Sequence, residues 1–222
     1  MSDIFHEVQE EVRQERYARL WKSYGKYLIA LAVALVLATA AWQGWKAYSK
    51  QRQEAAAAEY FAALDLLEEG QKKIAIDAFL RLGAKAHGGY GALARLRAAA
   101  IEASTGHLDE AVKIYDGLAA DAREPDAFRK LAALYAAMTL LDSASPDDLK
   151  LRLQPLLEAN NPWLYSAREL EGLVAVRAGE VAAARRIFTD LVNDPKTPAG
   201  LRNRATQVLT ALGPGTAAIP KG

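Results

Sequence analysis

The pattern of apolar and polar positions divides the chain into one uninterrupted apolar stretch and a longer region of amphipathic segments. Residues 27–45, YLIALAVALVLATAAWQGW, are nineteen positions without a charged side chain, between Lys26 and Lys46. As an α-helix with a rise of ~1.5 Å per residue, this stretch measures roughly 28 Å and matches the ~30 Å hydrocarbon core of a bilayer. Aromatic residues, which favour the headgroup layer, stand near both ends. The pattern predicts a transmembrane helix rather than a buried core helix.

A cleaved signal peptide is the main alternative, because residues 38–40, Ala-Thr-Ala, have the small-x-small pattern of a cleavage site. The preceding 26 residues contain five acidic residues, whereas a signal peptide begins with a short basic region. We therefore predict an uncleaved anchor. Five basic residues precede it (Arg13, Arg16, Arg19, Lys22 and Lys26) and three follow it (Lys46, Lys50 and Arg52). Since basic flanks stay in the cytoplasm, this bias predicts a cytoplasmic N-terminus and a translocated C-terminal domain.

Residues 1–26 read as a helix with one apolar stripe, formed by Ile4, Phe5, Val8 and Val12. Acidic residues are concentrated in its first half and basic residues in its second, which suits the helix dipole and an anionic inner leaflet. We predict a cytoplasmic amphipathic segment. It is either a helix that lies on the membrane or on a partner, or a solvated tail that orients the anchor.

Small residues recur along the predicted anchor. Ala30, Ala34 and Ala38 are four positions apart, and Ala41 lies close to the same face. Small residues at this spacing let a second transmembrane helix approach closely, so these four alanines are a candidate helix–helix face. Six alanines occur in the nineteen positions, and chance alignment is the alternative.

The region after the anchor is predicted to be entirely helical. Residues 46–69 contain neither glycine nor proline, so we expect the membrane helix to continue into the first helix of the next domain, with Gly44 as its weak point. Alanine-rich amphipathic segments follow, separated by Gly, Asn and Pro and without strand-like alternation. The prediction is an all-α domain at residues 46–212, with a flexible tail at 213–222.

These segments repeat with a period of about 36 residues. Gly70, Gly106 and Gly179 mark predicted turns between helices. The second interval is about twice the first, and a turn near Ser143 would divide it into two repeats. Each glycine is followed at five positions by a small residue and at nine by an aromatic residue: Ala75 and Phe79, Ala111 and Tyr115, Ala184 and Phe188. The pattern resembles the second half of a tetratricopeptide repeat, in which the small residue lets two helices cross closely. Gly172 stands where the first helix of that repeat often has glycine.

The third repeat departs from the pattern, because Asp148 stands where the small residue belongs. Ser145-Pro146 reads instead as a helix cap with proline in the first turn, so we expect a shifted second helix at residues 146–158. Thr197-Pro198 opens a last helix that would cover the exposed edge of the stack. The predicted fold is thus a transmembrane helix followed by an α-solenoid of about four helical pairs and a capping helix.

Composition offers little reactive chemistry. The net charge is +1, which gives no sign of nucleic-acid binding, and the chain has no cysteine. The three histidines share no metal-ligand spacing, and residues 87–91, HGGYG, lack the lysine and the preceding strand of a phosphate-binding loop. Acidic pairs fall in first turns of predicted helices, where the dipole explains them. We predict a protein that is not an enzyme and has no cofactor.

The order of parts, together with the segment NNPWLYSARELEGLVAVRAGEVAAARRIF at residues 160–188, resembles the YfgM family of bacterial inner-membrane proteins. That resemblance implies an ancillary subunit of the SecYEG translocon that works with a PpiD-type periplasmic chaperone on exported polypeptides. The alternative is a structural scaffold of an envelope or energy-transducing complex. The resemblance also implies an inner-membrane location with a periplasmic repeat domain.

The first helices of tetratricopeptide repeats line a concave groove. Alignment on the turn glycines places ten residues there: Phe61, Asp65, Glu68, Leu93, Leu96, Lys130, Ala133, Glu169, Leu173 and Val176. Their mixed character suits a peptide or a partner's helix rather than a small metabolite. For Leu93, Leu96 and Leu173, a place in the core is the alternative.

Overall fold

The computed structural model describes residues 3–87 and 89–213, with side chains given from Lys22 onward except at positions 23, 25, 28 and 32. All regular elements in these residues are helices, which confirms the all-α prediction. They are α1 (Asp3–Glu68), α2 (Lys72–Lys85), α3 (Gly89–Ser104), α4 (Leu108–Ala120), α5 (Asp126–Thr139), α6 (Pro146–Leu153), a 3-10 helix (Gln154–Leu157), α7 (Leu164–Arg177), α8 (Val181–Asn193) and α9 (Ala199–Ala211).

The chain divides into two units, Met1–Glu54 and Ala55–Gly222. In the first, helix α1 is unbroken at Gly44, so the glycine that the sequence marked as a weak point lies inside regular helix. The predicted apolar stripe of Ile4, Phe5, Val8 and Val12 concerns side chains outside the described residues. The predicted tail beyond Gly213 also lies outside the described residues.

In the second unit, three turns of identical construction join helices within pairs. Gly70, Gly106 and Gly179 have φ of +80°, +89° and +75°, a conformation that side chains with a Cβ rarely adopt. The next residue donates its N–H to a carbonyl five positions earlier: Gln71 to Leu66 at 2.9 Å, His107 to Glu102 at 3.0 Å and Glu180 to Ala175 at 2.9 Å. This hydrogen bond satisfies a carbonyl at the end of the first helix. The three predicted glycine turns are confirmed.

The second helices of the pairs, α2, α4, α6 and α8, begin at intervals of 36, 38 and 35 residues. The small and aromatic residues of the sequence pattern are buried in three of them: Ala75, Phe79, Ala111, Tyr115, Ala184 and Phe188, none more than 4% exposed. Each lies in a cluster that also includes residues of its partner helix or the next one. A series of small hydrophobic clusters between neighbouring helices therefore holds the helical pairs together, as in an α-solenoid.

In the third pair, the buried residues lie one position later than the spacing from the predicted turn at Ser143 places them. Ser145 caps α6 by accepting the Asp148 N–H at 3.1 Å, as the sequence predicted. Leu149 and Leu153 are fully buried at the positions that Ala75 and Phe79 occupy in the first pair, counted from the helix start. Asp148 is exposed at the helix N-terminus. The helix ends at Leu153 and continues as a 3-10 helix, so the predicted single helix at 146–158 is replaced by two short elements.

The turn of the third pair has no glycine and uses a different device. The Arg177 guanidinium on α7 donates hydrogen bonds to the carbonyls of Leu141 and Ala144. These carbonyls belong to the connection between α5 and α6, where the other pairs have a glycine turn. A side chain of the next repeat thus satisfies backbone groups that the local sequence leaves without partners.

The last helix, α9, begins after Pro198, as predicted, and covers the end of the stack. Its Ala205 is fully buried against Phe188 and Leu191 of α8, and Val208 packs on the same cluster. Arg185 of α8 donates to the Leu212 carbonyl at 2.6 Å and fixes the end of the helix.

Candidate interaction surface

The first part of helix α1 exposes apolar side chains along its length. An 18-residue window within Ile29–Glu68 has a mean hydropathy of 1.4, and none of it is buried inside the protein. Trp42 and Trp45 are more than 70% exposed. The Thr39 hydroxyl, the polar group in mid-stretch, donates to the Leu35 carbonyl at 2.7 Å, so it needs no water. The helix is long and apolar enough to cross a membrane.

The alanines of the candidate helix–helix face, Ala30, Ala34, Ala38 and Ala41, are all exposed on this helix. Their spacing of three and four residues places them on one side of α1. Small residues along one side of a helix allow a second helix to approach closely. The face stays a prediction.

Four of the ten predicted groove residues are exposed on the first helices of the repeats: Phe61, Asp65, Glu68 and Leu93. Phe61 is 54% and Leu93 39% exposed, although both are large apolar side chains. Leu96 is only 7% exposed and packs with Ala111 and Tyr115 of α4, so it belongs to the core. The exposed residues of the predicted groove therefore lie on α1 and α3.

The remaining five predicted groove residues have contacts within the protein. Ala133, Leu173 and Val176 pack against the clusters of the third and fourth pairs. Lys130 lies 2.9 Å from Asp126 in an ion pair on α5. Glu169 accepts two hydrogen bonds from Arg204 of α9, at 2.6 and 2.8 Å, so this carboxylate fastens the capping helix.

Three aromatic rings, including that of Phe61, come together where α1 meets α3. The ring of Tyr60 lies 6.0 Å from that of Phe61 and 5.5 Å from that of Tyr90, and Phe61 lies 6.2 Å from Tyr90, between centroids. Such edge and tilted arrangements are favourable for aromatic pairs. Sequence reasoning missed Tyr60 and Tyr90 because they lie on α1 and α3 and meet only when the helices stack. Phe61, Tyr60 and Tyr90 are called the ring cluster below.

A polar cluster occupies the loops that follow α2 and α4. Arg95 of α3 lies 3.1 Å from the Asp121 carboxylate and 3.6 Å from that of Glu124, and His87 Nδ1 lies 3.5 Å from Glu124. Hydrogen bonds from Arg123 hold the pKa of Asp121 well below its usual range. The ligand atoms of His87, Asp121 and Glu124 lie within 4.8 Å of one another, close enough for a metal ion. Since the guanidinium groups of Arg95 and Arg123 already pair with these carboxylates, the arrangement favours an ion-pair network that ties adjacent repeats.

Comparison with protein families matches residues 18–212 to the tetratricopeptide repeat-like domain. The chain belongs to this family. A search of the curated proteins finds no match. The matched region contains both the apolar stretch at 27–45 and the helical pairs that the structure describes.

A tetratricopeptide repeat-like domain is typically a noncatalytic scaffold for protein–protein interaction. Phe61 of the ring cluster and Leu93 suit this role, because both are large apolar side chains that remain exposed on the repeats. Membership of this family indicates binding to other proteins and does not identify the partner.

Proposed function

We propose that this protein is a membrane-anchored interaction module. The observation that carries the proposal is that the tetratricopeptide repeat-like match begins at residue 18, before the apolar stretch, and continues to residue 212. An exposed apolar helix of membrane-spanning length has its natural environment in a bilayer. The repeats that follow the anchor then form the protein-binding part of the chain.

The orientation of the anchor follows the basic residues. Five precede the stretch at 27–45 and three follow it within the next seven positions, so the short N-terminal side stays in the cytoplasm. The repeat domain then lies on the opposite side, in the bacterial periplasm. The absence of cysteine is compatible with that oxidising compartment.

The resemblance to the YfgM family supports a more specific role. In that role the anchor contacts the SecYEG translocon and the repeats receive exported polypeptides or pass them to a PpiD-type chaperone. The face formed by Ala30, Ala34, Ala38 and Ala41 is the proposed contact with a membrane partner. The exposed part of the groove is the proposed contact with the soluble partner.

Site-specific photocrosslinking in intact membranes tests the proposed function. A photoreactive residue at Ala34 is expected to capture a membrane protein, and one at Leu93 a periplasmic chaperone or an exported polypeptide. Leu96, 7% exposed and three residues from Leu93, is the matched control and should give no adduct with another protein. Adducts from Leu93 with subunits of a stable envelope complex alone would support the scaffold role instead. The absence of any adduct from either position would refute the interaction module.

Labelling with a membrane-impermeant thiol reagent tests the orientation, because the chain has no native cysteine. In cells with a permeable outer membrane, Ser49→Cys is expected to react and Ser2→Cys to react only after lysis. The opposite result would reverse the topology.

A further inference from the structure

The ring cluster is an aromatic surface that rests on the core of the first pair. Tyr60 is half-buried, and its ring lies 5.3 Å from that of Phe79, a fully buried residue of α2. Tyr90 rests on Tyr60, so both tyrosines are supported by the core of the first pair. Phe61 stands beside them with 54% of its surface exposed. A partner's side chain that packs here would bury aromatic surface without first having to order it.

Two acidic residues continue the same face of helix α1. Asp65 and Glu68 follow Phe61 by four and seven positions, which places them on its side of the helix at roughly 6 and 10 Å along the axis. Both are exposed, and neither forms an ion pair with any residue that the structure describes. Their neighbours differ, since Glu54 pairs with Lys50 at 3.7 Å and Glu59 pairs with Lys85.

We propose that the ring cluster together with Asp65 and Glu68 binds an apolar–basic peptide segment of a partner protein. The rings take a large apolar side chain, and the two carboxylates take Lys or Arg side chains that follow it. This inference rests on the proposed function, because it specifies the chemistry of the soluble partner. In an extended segment, with about 3.3 Å per residue, side chains two and four positions after the apolar one point to the same face, and long basic side chains at these positions reach the carboxylates.

Charge complementarity selects this occupant over other segments. A neutral apolar segment would leave the two carboxylates beside it without partners, and an acidic one would be repelled by them. Arg97 is exposed on α3 and lies on the same side of that helix as Tyr90, seven positions later. Its charge opposes the binding of a basic segment, so its removal should tighten binding slightly.

A peptide-binding titration with the full chain in lipid nanodiscs tests the proposal. The probe is a fluorescein-labelled peptide with Trp followed by Lys at the second and fourth positions after it, and the matched control peptide has Glu in place of each Lys. Fluorescence anisotropy at low ionic strength is expected to show binding of the lysine peptide about tenfold tighter than that of the control, or ~1.4 kcal/mol. Because the carboxylates are exposed, this difference should shrink as salt is added.

Three variants assign the binding to these residues. Phe61→Ala is expected to weaken binding of the lysine peptide by about tenfold or more. The double variant Asp65→Lys, Glu68→Lys changes only exposed side chains and should reverse the preference, so that the glutamate peptide binds more tightly. Arg97→Ala should tighten binding of the lysine peptide slightly.

Equal affinity of the native chain for both peptides, or no binding of either, would overturn the proposal. So would a reversal variant that still prefers the lysine peptide. These failures are separate from a failure of the proposed function, because adducts from Leu93 in membranes would still show a soluble partner. Unaltered affinity in Phe61→Ala would remove the ring cluster from the site.

Discussion

Gly172 of α7 faces the ring of Phe188 at a distance that leaves no room for a methyl group. A Cβ at position 172 would lie 2.7 Å from Cε2 and Cζ of Phe188. Phe188 is fully buried in a cluster with Ala184, Leu191 and Ala205, so its ring cannot retreat without displacing packed neighbours. We predict that Gly172→Ala destabilises the domain, although alanine is the better helix former.

The magnitude follows from two opposing effects. Alanine in a helix interior is favoured over glycine by about 0.8–1.0 kcal/mol. Overpacking of a filled core costs about 1–3 kcal/mol, and the enclosed ring of Phe188 places this case in the upper part of that range. The net loss is about 1–2 kcal/mol. For a domain of this size, this corresponds to a fall in Tm of roughly 2–8 °C.

Circular dichroism of the full chain in detergent micelles measures the change in Tm. Gly117→Ala on α4 is the matched control, because the nearest atom to its Cβ is Arg95 Nη2 at an ordinary 3.7 Å. That variant should gain up to about 1 kcal/mol. In the background of Phe188→Leu, which leaves more space, Gly172→Ala should cost less than in the native chain. The reasoning is refuted if Gly172→Ala stabilises the protein as Gly117→Ala does.

Other variants test the remaining contacts. Arg177→Met leaves two carbonyls of the third turn without donors and should cost about 1–3 kcal/mol, measured as a fall in Tm. Burial, with a smaller effect of Tyr135, raises the pKa of Tyr115 to about 12. The neutral hydroxyl therefore stabilises the fold fully below pH ~10, and this contribution is lost as the pH rises to 12. In Tyr115→Phe, the free energy of unfolding should fall less steeply with pH over that range. Glu169→Lys should cost at most about 1 kcal/mol, since Arg204 is 57% exposed; faster amide exchange in α9 should accompany it, and the added Arg204→Glu should restore protection.

The sequence predicted the repeat architecture well because its signals are local. A glycine at a positive φ, a small residue and an aromatic residue at fixed spacing specify a turn and the buried side of one helix, as Gly106, Ala111 and Tyr115 do. The Ser145 cap is equally local, since its bond reaches only three residues along the chain. Such features depend on neighbours within two helical turns, and the sequence displays them directly.

The exposure of the predicted groove residues was predicted less completely. The alignment on the repeat selected the exposed Phe61 and Leu93, yet it also selected the buried Leu96 and the paired Glu169. Burial depends on which side of a first helix meets its neighbours. One residue of rotation, about 100° on a helix, changes a groove position into a core position.

What the sequence by itself determined is the apolar stretch at 27–45, the all-α class and the period of the repeats, because hydrophobic pattern and turn chemistry act within short segments. What only the tertiary structure decided is which distant residues meet. The stacking of the first pairs brings Tyr90 onto Tyr60, and Arg177 reaches the carbonyl of Leu141, 36 residues earlier. These contacts arise because each repeat packs its apolar side against the next repeat and forms hydrogen bonds with it. They depend on two distant segments at once, so the sequence of one segment does not predict them.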